Sequence, residues 1–213
     1  MDRVLDDLDA LARARAFIDA CAGMPEVAPG FDWSFRVHVV GGRSMRELGW
    51  LDRVAVGERL SIEIINHSIR SRPALYINVI EHGVDGRTRV LNRQDHPAGM
   101  QVSPGTKQPL FWVPEREKGL VQEWPPDAPW TEARLVTWYI IASELPMDLG
   151  AVATPSNPRE KERATSAIPS MSASIGANGQ FPGFRAQRPH RPDVSWCCRR
   201  FCFILEPTPA ENE

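Results

Sequence analysis

No apolar run in the 213 residues approaches the roughly 20 that a helix needs to cross a bilayer, so a helical membrane span is not expected. Charge of either sign is scarce in excess. Lys and Arg number 25 against 27 Asp and Glu, for a net charge of -2, which gives no global electrostatic reason to expect nucleic acid or an anionic membrane as partner. Cysteine is also sparse, with four in all. Three of them crowd at Cys197, Cys198 and Cys202, which is not the spacing of a disulfide framework. No glycine-rich phosphate loop exists, because Gly83-Val84-Asp85-Gly86 offers only two turn glycines. The opening MDRVLDDLDALARARAF is acidic and heptad-like, unlike a secretory leader or an amphipathic transit peptide. A reducing, cytoplasmic setting is the expectation.

What is present reads as strands. In Glu58 to Leu91, Leu60, Ile62 and Ile64 alternate with Ser61 and Glu63, the period of a half-buried strand. Asn66-His67-Ser68 and Ser71-Arg72-Pro73 interrupt the run. Leu75, Ile77 and Val79 begin a second strand, and Gly83 to Gly86 supplies a tight hairpin into a third at Arg87 to Leu91. The three read as an antiparallel meander. Trp33 to Val40 alternates as well, and Leu110 to Val113 is a short strand. Leu135 to Ile141 is apolar on both faces and predicts a buried central strand. Near the end, Phe201, Phe203 and Leu205 share one face of a closing strand. Residues 2 to 22 predict a helix with Val4, Leu8, Leu11, Ile18 and Ala22 on one stripe, stopped by Gly23 and Pro25. Met147 to Val152 is expected to form one helical turn.

The domain plan that results has a helix and lead-in over 1–30 and a β-sandwich over 31–152. A disordered linker follows over 153–193, poor in apolar residues that could offset its ordering entropy. The closing strand spans 194–207 and a tail 208–213. The expected fold class is mainly β, an antiparallel sandwich of about seven or eight strands with one N-terminal helix.

The chemistry-bearing residues give no catalytic constellation. His38, His67, His82 and His96 lack metal-ligand spacing, and Cys198 and Cys202 are four apart on a strand rather than paired on turns, so neither a metal nor a cofactor is expected. The carboxylate pairs Glu115/Glu117 and Asp127/Glu132 fall in solvated loops. The seven tryptophans are scattered, and core use is their ordinary role.

The order of DLDALARARAF, FRVHVV, VGERLSIEIINHS, PALYINVIEHGVDGRTRVL, VSPGT, EWPPDAPW, RLVTWYIIASELPMDLGAV and CCRRFCFILEPTPAE resembles a β-rich domain of unknown function. That domain follows the peptidase domain in many caspase-like (metacaspase-related) proteins. The resemblance covers residues 5 to 152 and 196 to 209, and the peptidase domain itself is missing. It implies a non-catalytic accessory module, regulatory for proteolysis, whose partner is a protein or a caspase-like domain. No catalytic residue carries over. Phe17-Ile18-Asp19-Ala20-Cys21-Ala22-Gly23 does resemble the cysteine segment of those peptidases, with Cys21 as the candidate nucleophile. That fold places its His-Gly upstream of the cysteine, whereas the single His-Gly here, His82-Gly83, lies downstream. A degenerate cysteine peptidase using Cys21 and a ligand-binding sandwich stand as alternatives. The sequence leaves the oligomeric state open.

Overall fold

The computed structural model describes residues 2–24, 30–41, 44–111, 119–125, 129, 132–153 and 196–207. The expected linker beyond residue 153, the tail 208–213, the lead-in at 25–29 and the carboxylate pair Glu115/Glu117 lie outside the described residues, as does Asp127.

Two sheets face each other. The first contains β1 (Trp33–Gly41), β2 (Ser44–Leu48), β4 (Arg59–Asn66), β8 (Lys107–Leu110) and β9 (Leu120–Val121), in the order β2-β1-β4-β8 with β9 also on β4. The second holds β3 (Arg53–Ala55), β5 (Leu75–His82), β6 (Thr88–Val90), β7 (Met100–Val102), β10 (Arg134–Ser143) and β11 (Trp196–Glu206), in the order β3-β11-β10-β5-β6 with β7 also on β5. Alternation decides which side chains meet between them. Leu60, Ile62 and Ile64 of the first sheet and Ile77, Val79, Val136, Trp138, Ile140 and Phe203 of the second point into one core, each no more than 2% exposed. Burying one such side chain contributes roughly 1.5–3 kcal/mol, so this layer dominates the stability.

A third layer explains why β10 is apolar on both faces. Its outer residues Tyr139 and Ile141, with Ile80, Trp196 and Cys198, are covered by the helix α1 (Asp2–Ala22) and by Leu149 and Val152 around a 3-10 turn at Gly150–Val152. Phe17 meets Tyr139 edge to face, ring centroids 6.3 Å apart. The helix ends where Gly23 N–H donates to Asp19 O at 3.1 Å.

Buried asparagines splice the sheets. Asn92 accepts from Val79 N at 3.0 Å and donates to Ile77 O at 3.1 Å. Its side chain thus stands in for backbone on the edge of β5 between β6 and β7. Asn66 donates to Val102 O at 3.0 Å, pinning the end of β4 to β7 in the opposite sheet. Both side chains satisfy backbone groups that would otherwise be buried unpaired.

The mainly β sandwich with one helix stands, and five features differ from expectation. Eleven strands are present among the described residues rather than seven or eight, because β2, β3, β7 and β9 are too short to show alternation. The pairing is not wholly antiparallel, since Leu205 of β11 lies parallel to Val54 of β3. The strands from Glu58 to Leu91 are not one meander. β4 and β5 belong to different sheets, the loop 67–74 crossing between them, and only β5 and β6 form the hairpin. The helix buries Ala14, Phe17 and Cys21, whereas Leu11 is 46% exposed and Ala22 faces solvent. Finally, the strand expected at Leu110 to Val113 ends at Leu110, where Phe111 turns to φ 69°. Of the two hairpin glycines only Gly86 has positive φ (72°).

Candidate functional site

Cys21, the candidate nucleophile, lies on the last turn of α1 and is 6% exposed. Phe17 sets the helix phase, and the same face then presents Cys21 to Cys198 on the outer side of β11. The two thiols share a side-chain hydrogen bond, which together with burial holds the Cys198 thiol well above its ordinary range. Burial likewise pushes up Cys197, against a partial opposing effect of its bond from Trp33. Tyr139 is raised by burial and by the neighbouring Cys21. Cys202 faces Thr137 Oγ1 at 3.4 Å. Nucleophilic cysteine chemistry runs through the thiolate, and at Cys197 and Cys198 the surroundings favour the protonated thiol.

His82 does not reach the Cys21–Cys198 pair. It stands opposite Thr137, and Cys198 stands opposite Ile141, four residues further along β10 or about 13 Å at the strand rise. The helix spans that gap: Arg15 lies near His82, while Cys21, roughly 9 Å further along the axis, meets Cys198. Burial lowers the His82 pKa, Asp85 opposes that shift, and Arg15 adds to it. Its Nδ1 is buried without a hydrogen bond. Of the other histidines, His67 shares a 2.7 Å hydrogen bond with Ser34 Oγ. Among the described residues no three His, Cys, Asp or Glu side chains group as a metal site would require. No helix there is long and apolar enough to cross a membrane.

A different locus has the properties of a recognition site. Between β2 and β3 the chain turns at Gly49–Asp52, where Asp52 N–H donates to Gly49 O (3.3 Å) and Gly49 N–H donates to Asp52 Oδ2 (2.7 Å). The third residue, Leu51, is left-handed at φ 63°, a position that usually holds glycine or asparagine. For a leucine this costs about 1–2 kcal/mol. Two backbone bonds to β11 hold it there: Leu51 N–H to Cys202 O at 2.8 Å and Ile204 N–H to Asp52 O at 2.9 Å. The loop thereby presents Trp50 and Leu51 at 50% and 46% exposure. Trp50 is braced from beneath by Phe201, edge to face at 6.3 Å, and flanked by the Arg200 guanidinium 5.5 Å from its ring.

The sequence offers Trp50 only as one of seven scattered tryptophans. The left-handed leucine leaves no compositional trace, so only the run Leu48-Gly49-Trp50-Leu51, apolar around a glycine in a loop, marks it. No protein-family model matches the chain, and no curated protein or solved structure is detectably similar to it.

Proposed function

We propose that this chain is a non-catalytic interaction module that binds a protein partner through the Trp50–Leu51 loop. The observation that carries the reading is the pinned, left-handed turn holding a half-exposed tryptophan outward. Backbone strain persists where the surroundings over-determine it, and such places are concentrated at binding and switch sites. A tryptophan held rigid before binding loses little entropy on docking, and tryptophan leads the residues that dominate interface energies. Following the resemblance described above, the partner is the peptidase domain of a caspase-like protein, and docking regulates proteolysis. Cys21 then serves the packing of α1 and takes no part in chemistry.

The test is a titration of the full chain with a caspase-like peptidase domain encoded beside it in its genome. Saturable binding is expected, lost in Trp50→Ala and in Leu51→Asp while both variants melt as cooperatively as the parent. Failure of the parent to bind, or equal binding by both folded variants, overturns the proposal.

A further inference from the structure

A cleft of about 210 Å³ opens at the end of the sandwich where β5 leaves the second sheet and β9 edges the first. Leu91, Leu120, Trp124, Val136 and Leu205 form its apolar walls. Glu81 is its unusual member. By register it follows Ile77 and Val79 on the face of β5 that points between the sheets, where an apolar residue would pack without desolvating a charge. Its side chain is only 12% exposed.

The carboxylate is positioned but not saturated. Oε2 accepts from Trp138 Nε1 at 3.1 Å and Oε1 from Arg89 Nη1 at 3.0 Å. A carboxylate offers about four acceptor sites, so roughly two remain. Arg89 is itself shared, because its Nη2 also donates to Asp85 Oδ2 at 2.5 Å. Asp85 is 10% exposed and already accepts the Arg87 N–H of the hairpin. Two carboxylates thus divide one guanidinium, and Glu123 adds a third negative charge to the lining. Glu81 faces Arg89 directly across the β5–β6 hairpin, but Asp85 draws on the same guanidinium. Among the described lining residues negative charge therefore exceeds positive.

We infer that this cleft binds an organic cation on a short apolar stem, an ammonium or guanidinium whose head meets Glu81 and whose methylenes lie on Leu91, Leu120 and Trp124. The volume sets the size. At about 210 Å³ the cleft falls below the roughly 300–1,000 Å³ of drug-sized sites. That suits a chain of about four carbons with a charged end, the shape shared by a free alkylamine and a lysine or arginine side chain. The site stands apart from the Trp50 loop and holds whether or not that loop binds a protein.

The experiment titrates the full chain with n-butylamine at constant ionic strength, following backbone amide and indole NMR signals, with 1-butanol and butyrate as neutral and anionic counterparts. Saturable shifts confined to the cleft residues are expected for the amine, with affinity roughly tenfold or more above butanol, as fits a charge-assisted contact. Glu81→Gln, which keeps an acceptor for Trp138, is expected to abolish that preference. A lysine-containing peptide distinguishes the sources: tighter binding than butylamine marks a protein ligand, equal binding a free amine. Shifts that do not saturate, that spread away from Leu91, Leu120 and Trp124, or that are equal for amine and alcohol overturn the inference. The parent protein alone decides this if the variant does not fold.

Discussion

Trp33 on β1 donates its indole N–H to the Cys197 sulfur on β11 at 3.1 Å, joining the two sheets across 164 positions of sequence. Both residues are essentially buried, and the Arg199 guanidinium lies 4.8 Å from the same indole ring. Cys197→Ala removes the acceptor and leaves a buried donor unpaired, at a cost of about 1–3 kcal/mol. Cys197→Ser restores an acceptor and is expected to recover part of the loss. Urea unfolding of the three proteins checks this; equal midpoints for parent and alanine variant would show that the contact contributes nothing.

All four thiols are buried, and those of Cys197 and Cys198 are shifted toward the protonated form. A thiol reagent at about pH 8 is expected to leave the native protein almost unlabelled and to modify all four cysteines in denaturant. Rapid native labelling of Cys21, mapped by mass spectrometry, would revive the peptidase reading.

Stability is expected to fall on the acid side through His82. Its folded pKa lies below the usual 6.5, so the unfolded chain binds the extra proton first. The contribution is complete above about pH 6.5 and is lost as pH drops through the folded value. The charged form would face Arg15, whose repulsion adds to the desolvation, against attraction from Asp85 and Glu81. Melting temperatures of His82→Gln measured from pH 7.5 to 5.5 are expected to vary less than those of the parent. Parallel curves would refute the assignment.

Deleting everything after residue 153 removes Phe201, Phe203 and Leu205 from the core and strips the inner edge of β10. The shortened chain is expected to be molten or insoluble, and a peptide covering residues 196–207 to restore order in part. A cooperative melt at the parental temperature would show that β11 is dispensable.

Long, regular strands were readable in advance because one face of each is buried. Leu135 to Ile141 announced a strand covered on both sides, which holds from Val136 onward while Leu135 is 52% exposed, and the alternation of Phe201, Phe203 and Leu205 announced β11 despite the distance to its neighbours. Which strands pair was less legible. Leu60-Ile62-Ile64 alternates identically whether the next strand lies beside it or across the core, so the passage from β4 to β5 between sheets left no signal. The helix carries apolar residues on more than one face, and packing on Tyr139 selected Phe17 and Cys21 over Leu11. The conformation of the Trp50 loop was not legible for another reason: it is imposed by Cys202 and Ile204, far away in sequence.

The berth of β11 between β3 and β10 has a kinetic consequence. Arg53 and Glu206, 153 positions apart, meet as an ion pair only when that strand arrives. Until then a nascent sheet offers a gap one strand wide, with hydrogen-bonding groups on both sides of it. Such high contact order slows folding, and during synthesis every other described strand emerges first. At high concentration the gap accepts the same strand from a neighbouring molecule as readily as its own. Refolding at increasing concentration would therefore be a source of exchanged dimers, held together by the contacts that complete a single chain.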